Sequence, residues 1–184
     1  DPAEGPVSQP ELAEEFPLIF NSGARVTTDF HAQHHSIASL IAERPEPTVM
    51  LNSSDAAERH IQDGDRVLVR TVRGEIPLRA IVTDDIVRGA IEANMGGGGY
   101  QAPEAWREGN VNELTDLSRY DPISGFPIYK ALLCDVVKAD HDRERVVVGT
   151  GEIDSIVGAA PQMEVHRVYL DHNATTPLNP VVRQ

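Results

Sequence analysis

Between residues 17 and 137, short apolar runs alternate with turn residues. Six runs read as strands: 17–20, 48–52, 66–71, 75–82, 89–93 and 131–137. In "RVLVR" and "IPLRAIV" apolar and polar positions alternate, as in strands with one buried face. "DGD" at 63–65 is a turn entering a strand. Arg73 and Gly74 form a hairpin turn, after which Pro77 predicts an edge strand or a bulge. Two short helices are expected, over 35–42 and 55–60, with Ser53, Ser54 or Asp55 capping the second. The elements add up to a mainly β chain with short helices and a mixed sheet, more a barrel than a sandwich.

Two regions break the pattern. Residues 1–15, "DPAEGPVSQPELAEE", carry three prolines, five acids and no basic residue, and read as a flexible acidic lead-in. Residues 94–130 are long, glycine-rich and weakly periodic. Connections of that length in a compact domain are functional or disordered. This one holds four consecutive glycines, suited to close backbone approach to a ligand, together with Trp106 as a flat apolar plate and the amides of Asn110 and Asn112.

Composition narrows the possible functions. The chain of 184 residues has a formal charge of −13, with fourteen arginines against two lysines, Lys130 and Lys138. Nucleic-acid binding needs a basic face to neutralise phosphates, so it is not expected here. An anionic ligand would be held by local arginine, backbone N–H groups and neutral donors. No apolar run approaches the roughly 18 residues of a membrane span. The one cysteine, Cys134, lies in "ALLCDVV" and reads as a small buried hydrophobe.

The densest candidate chemistry is "NSGARVTTDFHAQHH", residues 21–35. His31, His34, His35 and Asp29 invite a metal reading. Adjacent histidines point apart, however, and no HExxH or CxxC spacing is present. Ser22 and Ser36 lack a nucleophile elbow. Surface polar residues on a turn are the plain alternative. The remaining reading is an anion-binding loop, in which "NSG" frees backbone N–H groups and Arg25 offers a bidentate fork. Thr27, Thr28, His31 and Gln33 would add neutral donors. This loop and the glycine–Trp–Asn segment are expected to converge on one barrel face as a cleft for a long, multiply hydrogen-bonded cofactor.

The strings "FPLIFNSGARVTTDFHAQHH", "VMLNSSDAAERHIQDGDRVLVRTVRGEIPLRAIVTDDIVRGAI" and "NVNELTDLSRYDPISGFPIYKALLCDVV" together resemble the molybdopterin-dinucleotide-binding domain. That domain ends the large molybdopterin oxidoreductases of the formate dehydrogenase, nitrate reductase and dimethyl sulfoxide reductase group. The resemblance implies a double-psi β-barrel over 16–139. It also implies binding of molybdopterin guanine dinucleotide carrying molybdenum or tungsten. The family's T/S-G-R…H loop falls on Ser22, Gly23, Ala24, Arg25, Phe30, His31 and Ala32, with "SGAR" where many relatives have "TGR". Its N-x-L-T falls on Asn112, Leu114 and Thr115, and the later Y/F-K brings Lys130 to the same cleft. Trp106 matches a position that is often aromatic. The implied cofactor contacts are Asn21, Ser22, Gly23, Arg25, Phe30, His31, Gln33, His34, Trp106, Asn110, Asn112 and Lys130, with no catalytic or metal-ligating residue.

The family's metal ligand, iron–sulfur motif and substrate funnel belong to earlier domains. The resemblance therefore implies a cofactor-holding module, inactive alone, whose partners are the remaining domains of an oxidoreductase. Residues 140–166 read as a linker. Residues 167–184 contain "VYLDHNATTPLNP", which resembles the start of a cysteine desulfurase and implies such a partner in cis. A cytoplasmic location is expected, or a periplasmic one if an upstream signal was removed. Two other readings stand beside this one: a double-psi barrel used for protein interaction, and a stand-alone carrier of the cofactor.

Overall fold

The computed structural model describes residues 5–24, 26, 28, 31–97, 101–115, 120, 123–126 and 129–139. The chain divides between Arg143 and Glu144. The 140–166 linker and the 167–184 tail lie outside the described residues.

Six strands form a closed barrel in the order β1-β5-β2-β4-β3-β6. They are β1 (Leu18–Ala24), β2 (Thr48–Leu51), β3 (Arg66–Arg70), β4 (Glu75–Val82), β5 (Ala90–Asn94) and β6 (Lys130–Lys138). Each coincides with an expected run, extended or trimmed by a few residues. The sheet is mixed. β1 runs parallel to β5, β2 runs parallel to β4, and the other four pairings are antiparallel. The two long connections, 25–47 between β1 and β2 and 95–129 between β5 and β6, each join strand ends that lie at the same end of the barrel.

Alternation along each strand fills the barrel. Phe20, Val49, Leu51, Val67, Val69, Ile76, Ile91, Cys134 and Val136 all point inward and are at most 1% exposed. Burying one such Val, Leu, Ile or Phe side chain contributes about 1.5–3 kcal/mol. Closure gives every strand a neighbour on both sides. Pro77 nevertheless stands on a local edge, paired with Leu68 of β3 and with no partner on β2. It is tolerated because parallel pairing of β4 with β2 begins only at Arg79, opposite Thr48.

The lead-in is partly folded, against expectation. Pro10–Glu15 form α1, with proline in the first turn, where its fixed φ suits a helix and its missing N–H is not needed. Phe16, just after it, is buried. The two expected helices are present as α2 (Ala38–Glu43) and α3 (Ser53–Glu58). The cap of α3 is Asn52, whose side chain accepts from the Ser54 N–H at 3.0 Å, and not Ser53, Ser54 or Asp55. Asp55 is instead buried and accepts from the Gly89 N–H at 2.6 Å, where the chain enters β5. The 94–130 segment contains α4 (Glu104–Glu108) and a 3-10 turn, Val111–Leu114.

Candidate functional site

The strand registers bring one set of ends together. The C-termini of β1, β5 and β3 and the N-termini of β2, β4 and β6 surround a single mouth of the barrel. Ala24 pairs with Asn94, Asn21 with Lys130, Thr48 with Arg79, and Arg70 with both Glu75 and Asp135.

At this mouth β1 is irregular. Its register against β5 shifts between Ser22 and Ala24, around Gly23 at φ +115°. That backbone region is open to glycine and strained for other residues. The two residues before the bulge act on β6. Ser22 is buried and its hydroxyl donates to the Tyr129 carbonyl at 3.0 Å. The Asn21 side-chain oxygen accepts from the Ala131 N–H at 3.4 Å. Both neighbours of Lys130 are thus tied to β1, and Ala131 is bent to φ +58°. A Cβ placed on Gly23 would lie 3.7 Å from the Lys130 Nζ, so the ammonium lies over the bulge. Lys130 is exposed and makes no ion pair with the described residues. Lys138, by contrast, is held by Asp65 at 2.7 Å.

The glycine-rich segment meets the histidine loop at the same mouth. A Cβ on Gly96 would fall 1.6 Å from the His31 carbonyl oxygen, so the two backbones touch where glycine alone fits. Gly97 packs against the Trp106 carbonyl and Asn110 in the same way, at 2.1 and 2.9 Å from the placed Cβ. These glycines let backbone approach backbone, whereas the sequence suggested approach to a ligand. His31 has φ +62° and an exposed side chain. Its neighbour His35 is buried, with its ring centroid 4.8 Å from that of Trp106.

Trp106 does not have the role expected of it. The side chain is 1% exposed and packs with Val26, Ala102 and Ile41. Its indole N–H donates to the Arg44 carbonyl at 2.9 Å. The ring belongs to a small second core and is no stacking plate for guanine or pterin. Asn110 is likewise occupied, its side chain accepting from the Asn112 N–H at 3.2 Å to start the 3-10 turn. Thr71 fastens that turn over the β3–β4 hairpin by donating to the Leu114 carbonyl at 3.0 Å. The Asn112 side chain is left exposed.

Of the twelve residues named from the sequence, Asn21, Ser22, Gly23, His31, Asn110, Asn112 and Lys130 stand at or beside the mouth. Trp106 underlies it. Gln33 is exposed and His34 half-buried on the turn after His31. Arg25 and Phe30 lie outside the described residues. The sequence offered His35 only as a candidate metal ligand, and it gave no role to Asn94 or to Met95, whose Sδ lies beside Gly23. Nothing in their spacing marks them. Among the described residues, no three metal-ligating side chains cluster, and no helix is long and apolar enough to cross a membrane.

Comparison with known proteins identifies this architecture. The chain is 27% identical to the trimethylamine-N-oxide reductase of Haemophilus influenzae, over 85% of its own length and 18% of the relative. It is 32% identical to the major subunit of the nitrate-inducible formate dehydrogenase of Escherichia coli, over 68% of this chain and 13% of the relative. Among solved structures, acetylene hydratase from Pelobacter acetylenicus matches with a TM-score of 0.67 at 25% identity, covering 76% of this chain and 20% of that one. The chain thus spans no more than a fifth of the length of these relatives. None of them supports the desulfurase resemblance of residues 167–184. Residues 18–133 match the family described as "Molydopterin dinucleotide binding domain", and the chain belongs to that family.

Proposed function

We propose that this chain is the cofactor-holding module of a larger molybdopterin oxidoreductase, that it grips the guanine dinucleotide and pterin of a molybdenum or tungsten cofactor at the barrel mouth, and that its barrel has double-psi topology. Two parallel strand pairs within a closed six-stranded barrel favour that topology.

One observation carries the reading: the Asn21–Gly23 bulge and the Lys130 entry to β6 are built as one unit, with an ammonium that has no acidic partner among the described residues standing over a glycine. A phosphate bound there meets a positive charge and no Cβ. The chemistry of the donors therefore fits a dinucleotide, although the chain as a whole is strongly acidic. Asn112, exposed beside the mouth, offers an amide to a heterocycle. The side chains of Asn21, Ser22 and Asn110 hold the protein's own backbone, so their part is to shape the site. When bound, the cofactor supplies redox chemistry at its metal. This chain supplies charge, amides and a rigid rim, and is inactive alone.

Calorimetric titration with GDP and with purified molybdopterin guanine dinucleotide tests the proposal. Binding of both is expected, weakened by Lys130→Gln, with no formate or nitrate turnover by the loaded chain. Failure of both ligands to bind rejects the site; turnover rejects the purely cofactor-holding role.

A further inference from the structure

Asn94 ends β5 and is 7% exposed, a buried amide beside the bulge. Its side-chain oxygen accepts from both the backbone N–H and the hydroxyl of Thr48, each at 2.8 Å. Its amide nitrogen donates to the Ala24 carbonyl at 3.4 Å. One side chain thus joins the first residue of β2 to the last residue of β1, both at the mouth. The three residues after it make further contacts at the mouth. Met95 lies against Gly23, Gly96 against the His31 carbonyl, and Gly97 against Asn110 and Trp106. Thr48 is also buried. The Thr48 end of the bridge is buried, so its loss there leaves buried polar groups unmet.

We propose that Asn94 is the positioning residue that holds residues 21–24 and 95–97, at the ends of the two ligand-facing segments, in register, so that the bulge below Lys130 is formed before ligand arrives. This rests on the cofactor-binding reading above. Preformed loops bind more tightly because the ligand need not order them. The role is specific to asparagine. Aspartate lacks the donor for Ala24, and a hydrophobic residue lacks the acceptor for Thr48.

The test uses the 184-residue chain and the variants Asn94→Ala and Thr48→Val. The second is the milder, removing one of the three bonds. Asp55→Asn serves as a matched lesion at the opposite end of β5. Hydrogen exchange is followed without ligand, and GDP affinity by calorimetry. Exchange over 22–24 and 95–97 should accelerate in Asn94→Ala, and less in Thr48→Val, while β3 amides 67–69 hold. GDP affinity should fall at least about tenfold in Asn94→Ala, equivalent to ~1.4 kcal/mol. Asp55→Asn should leave both readouts at the mouth unchanged. Uniform acceleration throughout the barrel, or unaltered GDP affinity in Asn94→Ala, overturns the proposal. Failure of the unaltered chain to bind GDP or cofactor overturns the underlying functional reading instead, and the ligand-free exchange measurement tells the two failures apart.

Discussion

The Ser22 hydroxyl donates to the Tyr129 carbonyl at 3.0 Å, across 107 residues of sequence. This bond joins the end of β1 to the residue before Lys130 and converts a serine that looks like a ligand donor into a brace. Ser22→Ala should lower stability by about 1 kcal/mol, the net worth of an ordinary hydrogen bond. It should also weaken GDP binding, because Lys130 is released from its place over Gly23. Ser22→Thr, which retains the hydroxyl, should restore both. Chemical denaturation and calorimetry on the same samples check this, and the idea falls if threonine behaves like alanine.

The two lysines make an internal comparison. Lys138 is paired with Asp65, whereas Lys130 has no acidic partner among the described residues. Lys130→Gln should reduce the affinity for GDP and flatten its dependence on salt, because a charge–phosphate contact is lost. Lys138→Gln should leave binding alone. Titrations at low and high ionic strength distinguish the two. Equal effects of both variants point to bulk charge rather than to a site.

Gly96 combines φ +123° with a placed Cβ 1.6 Å from the His31 carbonyl oxygen, whereas Gly64, at φ +81°, has open space around it. Gly64→Ala should cost only the backbone penalty of about 1–2 kcal/mol. Gly96→Ala must push two backbones apart and should abolish ligand binding while the barrel's far-ultraviolet circular dichroism persists. Retained GDP affinity in Gly96→Ala would show that contact between the two loops is unnecessary.

Trp106→Phe keeps an aromatic ring near His35 but strands the Arg44 carbonyl and leaves a small void. A loss of about 1–3 kcal/mol is expected from the unmet acceptor and the lost volume. Ligand should quench Trp106 fluorescence only slightly, because the ring faces the protein interior. Strong quenching by GDP, of the kind produced by direct stacking, contradicts the burial described above.

The Lys138 ammonium, donating to Asp65 at 2.7 Å, holds that carboxyl below its ordinary value of 3.8, helped by the Gln62 N–H and opposed by desolvation. A folded-state value below the unfolded one means stability that is fully present above the ordinary value. It is lost as pH falls through the folded value. The difference in thermal midpoint between the unaltered chain and Asp65→Asn should therefore be constant near neutrality and shrink as acidification takes the pH through the ordinary value and then the folded one. A difference that grows on acidification would reverse the sign of the coupling.

All six strands were legible in the chain, and for a local reason: a strand buried on one face must alternate, so "RVLVR" and "EIPLRAIV" declare themselves whatever they pair with. The family was legible because its strings survive in order. The roles of the polar residues at the mouth were not. Asn21, Ser22, Asn110 and Trp106 look like ligand donors or a stacking surface when read along the chain. Each instead satisfies or covers a group of the protein's own: for Asn21, Ser22 and Trp106 that group comes from a residue more than sixty positions away, and for Asn110 from the local turn at Asn112. Likewise α1 escaped notice because its composition resembles a disordered tail, and Pro10 becomes a helix start only once Phe16 has a core to enter.

Periodicity and motif order by themselves thus determined the strands and the family. The closed order of the strands, the meeting of Gly96 with His31, and the binding of Tyr129, Lys130 and Ala131 to β1 were decided only in three dimensions. The physical reason is that alternation records which face of a strand is buried, while the partner of a buried amide or hydroxyl is fixed by register between strands far apart in the chain, and a single side chain such as Asn94 carries no mark of where its hydrogen bonds will go.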